Sequence, residues 1–401
     1  MKFGIIKERK NPPDRRVVFS PKKINELQKK FPEAEFIVEP SDIRIFSDQQ
    51  YKNNNIKVSQ NMEQCDVLLG VKEVPIDALI PNKKYFFFSH TIKKQIYNRN
   101  LLKAIVENNI ELYDHEVIIK ENGTRLIGFG RYAGLVGAYN GFRLLGIRDN
   151  LYNLPKVENL ADLEEAKTEL NKIKIPNIKI CLTGLGKVAK GAKEILEHLK
   201  IKKVSVVDYL SKEFNEPIYV NIDVLDYNKQ KNEKAGNKRE FFKDPSNYES
   251  NFMRFAKVTD YFIAGHFYGD AAPYLFTRDD AKDKDFKIKI VADISCDIDG
   301  PVASTIRAST ISDPFYAYHP ISEKEVEVGN PNSIAVMAVD NLPCELPKDA
   351  SEGFGEMFAK HVIPAFFNND EDGILNRAKM TENGKLTPHY KYLENYINGN
   401  E

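Results

Sequence analysis

The chain has 401 residues, of which 42% are hydrophobic and 29% are charged. This length allows roughly two or three domains, and the composition is typical of a soluble globular protein. Lys and Arg together number 58, as do Asp and Glu, so the formal net charge is zero. A global field that would attract nucleic acid or an anionic membrane is therefore excluded, and any recognition of charge must be local.

The amino-terminal residues and the cysteines bear on the cellular compartment. Residues 1–10 read as a short apolar strand followed by charges, without the apolar region of a secretory signal. No apolar run approaches the length of a membrane span. Cys65, Cys181, Cys296 and Cys344 are far apart and show no paired Cys-x-x-Cys spacing. We therefore expect no metal site, no disulfide framework and a cytoplasmic location.

Short strands and helices alternate over the first part of the chain, which is an α/β pattern. A helix is predicted to begin at Ser20, whose hydroxyl can cap it, with Pro21 in its first turn. The predicted strands are Phe3–Ile6, Glu35–Val38, Asp66–Val71 and Lys84–Phe88. Lys72 and Glu73 follow the third strand, and Ser89 and His90 follow the fourth. Polar residues at strand ends indicate where an open α/β sheet places its site.

The middle of the chain has the pattern of a second α/β domain. A Gly- and Ala-rich helix is predicted over Ala133–Gly146. Further on, a strand, a glycine-bearing turn, an amphipathic helix and a second strand are predicted in order at Ile178–Leu182, Thr183–Gly191, Gly191–Leu199 and Val204–Val207. Asp208 follows the last of these. The strand series resumes at Tyr261–Ala264 and Lys289–Ala292.

The glycine-bearing turn predicts a dinucleotide site. Gly184 and Gly186 permit a tight turn and a close approach of the backbone to a pyrophosphate, while Ala189 is small enough for helix and strand to pack closely. Asp208 is expected to bind the adenosine ribose and to repel a 2′-phosphate, which favours NAD over NADP, although nearby Lys212 could soften that preference. The alternative is an ordinary turn with structural glycines.

Acid–base and carboxylate-binding candidates occur in the first domain. Lys72 and His90 end neighbouring apolar runs and could face one cleft. Arg16 and Arg125 could each hold a carboxylate with two hydrogen bonds. Lys93 and Glu116 could tune proton affinities nearby. The alternative is that these charged side chains are solvated surface groups, and spacing alone does not decide between the two.

At these residues the chain resembles the lysine-forming, NAD-dependent saccharopine dehydrogenases and the lysine–ketoglutarate reductase domains, within the alanine dehydrogenase/transhydrogenase superfamily. The resemblance covers nearly the whole chain. Its main blocks are Arg16–Pro21, Gly70–Pro75, Phe88–Gln95, Leu112–Glu116, Phe129–Gly134, Ala292–Asp297, Val339–Pro343 and Leu346–Ser351.

The resemblance implies oxidative cleavage of saccharopine to lysine and 2-oxoglutarate, or the reverse condensation, with NAD as cofactor. It implies that Lys72 is the general base and His90 a second acid–base group, with Lys93 and Glu116 as charged neighbours. The implied substrate-binding residues are Arg16, Gln95, Arg125, Phe129, Ser295, Cys296 and Asp297. The implied cofactor contacts are Gly184, Gly186, Lys187, Asp208, Ile294, Val339, Asp340, Asn341 and Leu342.

The expected architecture is α/β, with two Rossmann-like domains and a cleft between them. Residues 1–133 with 350–401 are expected to form the catalytic domain, and residues 134–349 the NAD-binding doubly wound sheet. Two other functions stay open from the sequence. One is an alanine dehydrogenase-type enzyme, and the other is a non-catalytic protein that senses dinucleotides.

Overall fold

A computed structural model describes residues 1–232, 234–269 and 271–400. The described chain divides into two compact units. Unit 1 comprises Met1–Phe129 and the residues from Pro347 onward, and unit 2 comprises Gly130–Leu346. The boundaries predicted from the sequence lie between residues 133 and 134 and between residues 349 and 350. Both observed boundaries lie a few residues closer to the amino terminus.

The amino-terminal part of unit 1 forms a six-stranded parallel sheet in the order β3-β2-β1-β4-β5-β6. Its strands are β1 (Lys2–Ile5), β2 (Glu35–Val38), β3 (Lys57–Val58), β4 (Val67–Leu69), β5 (Lys84–Phe87) and β6 (Glu111–Asp114). Its helices are α1 (Pro21–Lys30), α2 (Asp48–Asn53) and α3 (Arg99–Glu107). The four strands predicted here and the helix after Ser20 are confirmed.

Local sequence explains these elements. The Ser20 hydroxyl accepts a hydrogen bond from the Lys23 N–H, and Pro21 occupies the first turn of α1, where it needs no hydrogen-bond partner. The strands are apolar on both faces because the sheet is covered on both. In β5, Phe86 faces one core cluster and Tyr85 and Phe87 face the other.

Unit 2 contains an eight-stranded mixed sheet in the order β15-β14-β16-β13-β12-β7-β9-β8 and a separate hairpin of β10 with β11. Its strands are β7 (Lys179–Thr183), β8 (Lys202–Lys203), β9 (Ile218–Ile222), β10 (Asn228–Gln230), β11 (Tyr248–Ser250), β12 (Tyr261–Ala264), β13 (Ile290–Asp293), β14 (Phe315–His319), β15 (Lys324–Val326) and β16 (Ile334–Met337). Its helices are α4 (Gly130–Arg148), α5 (Leu163–Leu170), α6 (Lys187–His198), α7 (Val206–Ser211), α8 (Val224–Tyr227), α9 (Lys238–Lys243) and α10 (Met253–Ala256).

Helices α4 and α6 cross at backbone contact because both carry glycine at the crossing. A Cβ atom at Gly191 would lie 2.0 Å from the Arg131 carbonyl oxygen, and one at Gly134 would lie 1.9 Å from the Val188 carbonyl oxygen. Neither position has room for a side chain. The close crossing fixes α6, and with it the turn at its amino terminus.

The carboxyl-terminal segment returns to unit 1 and covers both faces of its sheet. It comprises α11 (Pro347–His361), α12 (Ile374–Ala378), β17 (Thr381–Glu382), β18 (Lys385–Leu386) and α13 (Glu394–Asn398). Phe354 and Phe358 of α11 join one core cluster, and Met380 and Tyr396 join the other. This packing explains why a segment so distant in sequence belongs to the amino-terminal unit.

Two predictions in unit 2 are wrong. Helix α6 begins at Lys187 and not at Gly191, so the turn after β7 is shorter than expected and Ala189 and Gly191 lie within the helix. The predicted strand Val204–Val207 is not a strand. The strand is Lys202–Lys203, and Asp208 lies in helix α7, which Ser205 caps. The Ser205 hydroxyl competes with strand pairing by binding the backbone N–H of Asp208 at 3.1 Å.

The fold class predicted from the sequence, α/β with two Rossmann-like domains, is confirmed. Among the described residues, no helix is both long enough and apolar enough to span a bilayer.

Candidate active site

The carboxyl ends of β1, β4, β5 and β6 lie side by side in unit 1, because these strands are parallel neighbours. Glu8 follows β1, Lys72 follows β4, His90 follows β5 and Glu116 follows β6. Four titratable residues from separate parts of the sequence therefore lie at one edge of the sheet. Open α/β sheets bind their ligands at this edge.

Glu8 holds the backbone at Lys72. Its two carboxylate oxygens accept hydrogen bonds from the N–H groups of Val71 at 2.7 Å and Lys72 at 2.8 Å. Burial, followed by the nearby charge of Asp14, raises the pKa of Glu8 to about 8, against the opposing effect of the two N–H groups. Glu8 was not among the residues predicted from the sequence, since only the pairing of β1 with β4 brings it to Lys72.

His90 is held by Glu73. Its Nδ1 lies 2.5 Å from a carboxylate oxygen of Glu73, and its ring stacks on Phe88 with 6.2 Å between centroids. The backbone of His90 has a φ of +54°, a conformation that is uncommon for a residue with a side chain. Since a carboxylate can only accept, Nδ1 carries the proton in this pair.

Glu73 stays ionised over a wide range of pH. Burial pushes its pKa upwards, but the hydrogen bond with His90, a backbone hydrogen bond and the charges of His90 and Lys10 together lower the pKa to about 2. The carboxylate can therefore stabilise a positive charge on the imidazole ring. Glu73 was not predicted as a site residue from the sequence, because its contact with His90 depends on the pairing of β4 with β5.

Arg16 is buried and already paired with a carboxylate. Its Nε and Nη2 donate to the two oxygens of Asp14 at 3.0 and 2.6 Å, and its guanidinium lies 4.3 Å from the centroid of the Phe129 ring. Burial opposes the ionisation of Asp14, but Arg16, with a further contribution from the charge of Lys72, lowers its pKa to about 2. Phe129 in turn stacks on Phe354 at 4.6 Å. Arg16, Asp14 and Lys72 thus form one charged group.

Arg125 and Glu116 contact each other. Nη2 of Arg125 lies 3.3 Å from Oε1 of Glu116, and its guanidinium lies 5.5 Å from the centroid of the Phe88 ring. The Arg125 side chain is 41% exposed, so a ligand carboxylate can reach it from solvent. The structure therefore brings two sequence-predicted residues, Arg125 and Glu116, into one pair.

Lys93 and Gln95 lie in the loop after β5. Lys93 is exposed, while the Gln95 side chain accepts a hydrogen bond from Tyr97 and its carbonyl oxygen accepts one from Tyr396 at 2.5 Å. The last contact ties this loop to the carboxyl-terminal segment of unit 1.

In unit 2, the turn after β7 has the shape of a dinucleotide cradle. Gly184 has a φ of +90°, and a Cβ there would lie 2.7 Å from the Gly265 carbonyl oxygen, so only glycine fits. A Cβ at Gly186 would meet nothing within 4 Å. Gly186 has no side chain that could cap α6, and the amino terminus of this 12-residue helix begins at that position. These features fit a pyrophosphate.

Residues that follow β13 and β16 form the neighbouring part of that edge. Ser295 and Cys296 donate their N–H groups to the buried Asp293 at 3.1 Å, and the Cys296 thiol contacts the Ala338 carbonyl oxygen at 2.9 Å. Ile294 and Leu342 pack against α4 at Gly137, where a Cβ would clash with both. Asp297, Val339, Asp340 and Asn341 lie in the same two segments. The predicted substrate residues are thus divided between the units.

Asp208 lies away from the glycine turn. Strand β8, which precedes its helix, is the edge strand of the sheet and pairs only with β9 among the described residues, whereas β9 lies next to β7. The Asp208 carboxylate binds Lys212 at 2.7 Å. The prediction that Asp208 ends the next strand is therefore wrong, since Asp208 lies in α7 and the strand that pairs with β7 is β9.

His266, which was not among the site residues predicted from the sequence, lies next to the glycine turn. It follows β12, its Nδ1 lies 2.8 Å from the Thr183 hydroxyl at the end of β7, and only 8% of the residue is exposed. Burial lowers the pKa of His266 to about 4, so the ring is neutral near pH 7. Its Nε2 has no hydrogen-bond partner among the described residues. The short segment Gly265–His266 after an apolar strand was the available signal.

Residues 1–232, 234–269 and 271–400 contain no group of three or more His, Cys, Asp or Glu side chains placed to hold a metal ion.

Comparisons with known proteins place this fold in a class. Residues 4–136 match the model of the alanine dehydrogenase/PNT N-terminal domain. A solved structure of L-alanine dehydrogenase superposes with a TM-score of 0.66 at 15% identity, over 99% of this chain and 100% of that one. The fold and the matched domain therefore define a two-domain Rossmann-type protein with an alanine dehydrogenase-like first domain.

Two curated relatives refine that class. The mitochondrial alpha-aminoadipic semialdehyde synthase of Mus musculus is 27% identical over 98% of this chain and 47% of its own length. The NAD⁺-dependent, L-lysine-forming saccharopine dehydrogenase of Yarrowia lipolytica is 24% identical over 86% of this chain and 87% of its own length. This chain spans less than half of the mouse synthase. The chain is thus similar to members of the alanine dehydrogenase/transhydrogenase superfamily, which confirms the resemblance noted in its sequence.

Proposed function

We propose that this chain is an NAD-dependent oxidoreductase that cleaves saccharopine to L-lysine and 2-oxoglutarate, or catalyses the reverse condensation. The observation that carries the proposal is the His90–Glu73 pair, 2.5 Å apart, next in sequence to Lys72 at one sheet edge. An amino group and an imidazole in one site are the groups that an amine oxidation followed by hydrolysis needs. Similarity to the saccharopine dehydrogenase of Yarrowia lipolytica supports the choice of substrate.

Lys72 and His90 carry out different proton transfers in this proposal. Lys72 accepts the proton from the secondary amine of saccharopine as the adjacent C–H bond loses a hydride. A bound nicotinamide ring supplies the acceptor for that hydride. His90 then removes a proton from the water that attacks the resulting imine carbon and returns it to the nitrogen, which gives a carbinolamine. As the C–N bond breaks and the carbonyl group forms, His90 transfers the hydroxyl proton of the carbinolamine to the departing lysine nitrogen. Glu73, which stays ionised, stabilises the imidazolium formed between those two steps.

Arg16 and Arg125 bind carboxylates in different ways under this proposal. Arg16 is buried and balanced by Asp14, so it orients a substrate carboxylate without adding much net charge. Arg125 is more exposed and makes a single 3.3 Å contact with Glu116, so it is the stronger attractor for a carboxylate that arrives from solvent. Phe129, Gln95 and the run Ser295, Cys296 and Asp297 complete the proposed substrate contacts.

Unit 2 supplies the proposed cofactor site. Gly184, Gly186 and Lys187, at the amino terminus of α6, would hold the pyrophosphate through backbone N–H groups. Ile294, Val339, Asp340, Asn341 and Leu342 would line the nicotinamide end of the site. The proposed domain roles are therefore catalysis for unit 1 and dinucleotide binding for unit 2. The cytoplasmic location expected from the sequence stays a prediction.

The test is a spectrophotometric screen for NADH formation with saccharopine, alanine, lysine and glutamate. We expect saccharopine to give the largest kcat/KM. Lys72→Met should lower kcat by roughly 10²-fold or more while leaving the Kd for NADH unchanged, because the side chain acts in proton transfer. Lys385→Met, which alters an exposed lysine of the same unit, is the matched control and should behave as the wild type.

Faster turnover of alanine would reject saccharopine as substrate and favour an alanine dehydrogenase-type enzyme. Tight NADH binding without turnover of any amino acid, in either direction, would favour a dinucleotide sensor instead.

A further inference from the structure

The strand beside the glycine turn is not the next strand in the sequence. After β7 and α6 the chain makes β8 at the edge of the sheet and then returns with β9 between β8 and β7. In the common dinucleotide-binding arrangement the second strand of the motif lies beside the first and ends in the acid that binds the ribose. Here β9 occupies that place.

The end of β9 is attached to the glycine turn by two hydrogen bonds and to the end of β7 by a third. The Gly184 N–H donates to the Ile222 carbonyl oxygen at 2.9 Å. The side-chain amide of Asn221 donates to the carbonyl oxygens of Gly184 at 2.8 Å and Leu182 at 3.2 Å. Asp223 is the next residue after Ile222, so its position relative to the cradle is set by backbone contacts.

A residue close to Asp223 in sequence also contacts a residue next to the glycine turn. Tyr227 in α8 packs against His266 with 5.9 Å between ring centroids, and His266 binds Thr183 at the end of β7. His266 is almost completely buried, and its Nε2 has no hydrogen-bond partner among the described residues. An unpartnered buried nitrogen beside an open glycine turn is a second, independent indication that a polar ligand binds here.

We propose that Asp223, and not Asp208, binds the adenosine ribose and determines the preference between NAD and NADP. The inference rests on the proposed dinucleotide binding by unit 2. Asp223 follows the strand adjacent to β7, whereas Asp208 lies in a short helix after the edge strand and is paired with Lys212. A carboxylate at Asp223 accepts hydrogen bonds from a ribose hydroxyl and repels a 2′-phosphate.

Lys238 adds a positive charge next to Asp223. Its ammonium group forms an ion pair with the Asp223 carboxylate, and both side chains belong to unit 2. In the wild type the two charges balance each other. Removal of the carboxylate leaves the ammonium group available to a 2′-phosphate, so Asp223 substitution should not only weaken NADH binding but also strengthen NADPH binding.

The experiment measures Kd for NADH and NADPH by cofactor fluorescence with the full chain, its Asp223→Ser variant and its Asp208→Ser variant. Serine retains the ability to cap α8, where Asp223 now accepts the Val224 N–H at 2.7 Å, so folding should be preserved. We expect the ratio of the NADPH Kd to the NADH Kd to fall at least about tenfold in Asp223→Ser. Asp208→Ser should leave the ratio within about twofold of wild type.

A third variant tests the role of the lysine. Adding Lys238→Ala to Asp223→Ser should remove the gain in NADPH affinity and leave the loss of NADH affinity. Circular dichroism and Tm measured on each variant exclude loss of fold as the cause of a changed ratio.

The results distinguish the proposed role of Asp223 from the proposed binding of a dinucleotide. An unchanged ratio in a folded Asp223→Ser variant, or a shift confined to Asp208→Ser, overturns the role of Asp223 while dinucleotide binding stands. Failure of the wild type to bind either cofactor overturns the proposed function, and the role of Asp223 with it.

Discussion

The two sheets use their strand ends differently. In unit 1 the carboxyl ends of β1, β4 and β5 carry Glu8, Lys72 and His90, and each is held by specific hydrogen bonds. In unit 2 the carboxyl end of β7 carries Gly184 and Gly186, and the groups proposed to bind the cofactor there are backbone N–H groups. Proton transfer needs side chains with defined charge, whereas pyrophosphate binding needs side chains to be absent.

Carboxylates accordingly have different tasks in the two units. Glu73 and Glu8 in unit 1 position the proposed acid–base residues, His90 directly and Lys72 through its backbone. The buried Asp293 in unit 2 organises the loop after β13 by accepting bonds from Ser295, Cys296 and Thr305. This comparison predicts that substitutions in unit 1 change turnover first, and that those in unit 2 change binding or stability first.

The largest effect is expected at His90. His90→Asn should lower kcat about 10²- to 10⁴-fold, the usual contribution of a general acid–base group, while the Kd for NADH stays unchanged. Steady-state kinetics and fluorescence titration check this. The control is His389→Asn, an exposed histidine in the same unit. A parallel loss of NADH affinity would show that the division of tasks between the units is wrong.

The next largest effect is expected at the crossing of α4 and α6. Gly191→Ala places a methyl group 2.0 Å from the Arg131 carbonyl oxygen, so the helices must separate. We expect a loss of about 3 kcal/mol or more in the free energy of unfolding, measured with urea. Gly186→Ala, which adds a methyl group to open space in the same unit, is the control for glycine loss alone. Retained stability in Gly191→Ala would contradict the backbone contact.

The Glu73 pair should make stability depend on pH. Because the folded-state pKa of Glu73 is about 2 and its ordinary value is 4.5, the folded protein binds fewer protons than the unfolded chain between these values. The wild type should exceed Glu73→Gln by on the order of 2 kcal/mol above pH 4.5, and this difference should vanish as the pH falls towards 2. Urea unfolding of both proteins at several pH values measures the difference. A difference that grew on acidification would exclude the His90–Glu73 ion pair.

The smallest effect separates binding from folding in unit 2. Gly186→Ala adds a methyl group to open space, so Tm should change little, while the Kd for NADH should rise about tenfold because the pyrophosphate loses room. Gly184→Ala should weaken binding and also lower Tm, since its φ of +90° and the 2.7 Å approach to the Gly265 carbonyl oxygen exclude a side chain. Equal Tm losses in both variants would mean that the space at Gly186 is not open.

Sequence patterns predicted local features well. Apolar runs located β2 and β12 with their observed bounds, and Ser20 with Pro21 located the start of α1. The glycine turn was recognised because its residues are consecutive. The patterns failed where a local signal was ambiguous. Val204–Val207 is apolar enough for a strand, but Ser205 caps a helix there and the chain enters α7.

The sequence by itself determined the α/β class, some of the helices and strands, the glycine turn and the residue types that the proposed chemistry needs, because periodicity, capping and turn preferences act over a few residues. Only the tertiary structure decided which of those residues meet. Strand pairing brings Glu8 to Lys72 and Glu73 to His90, and the return of β9 between β8 and β7 replaces Asp208 by Asp223 beside the turn. Such contacts depend on strand order, which local sequence does not encode.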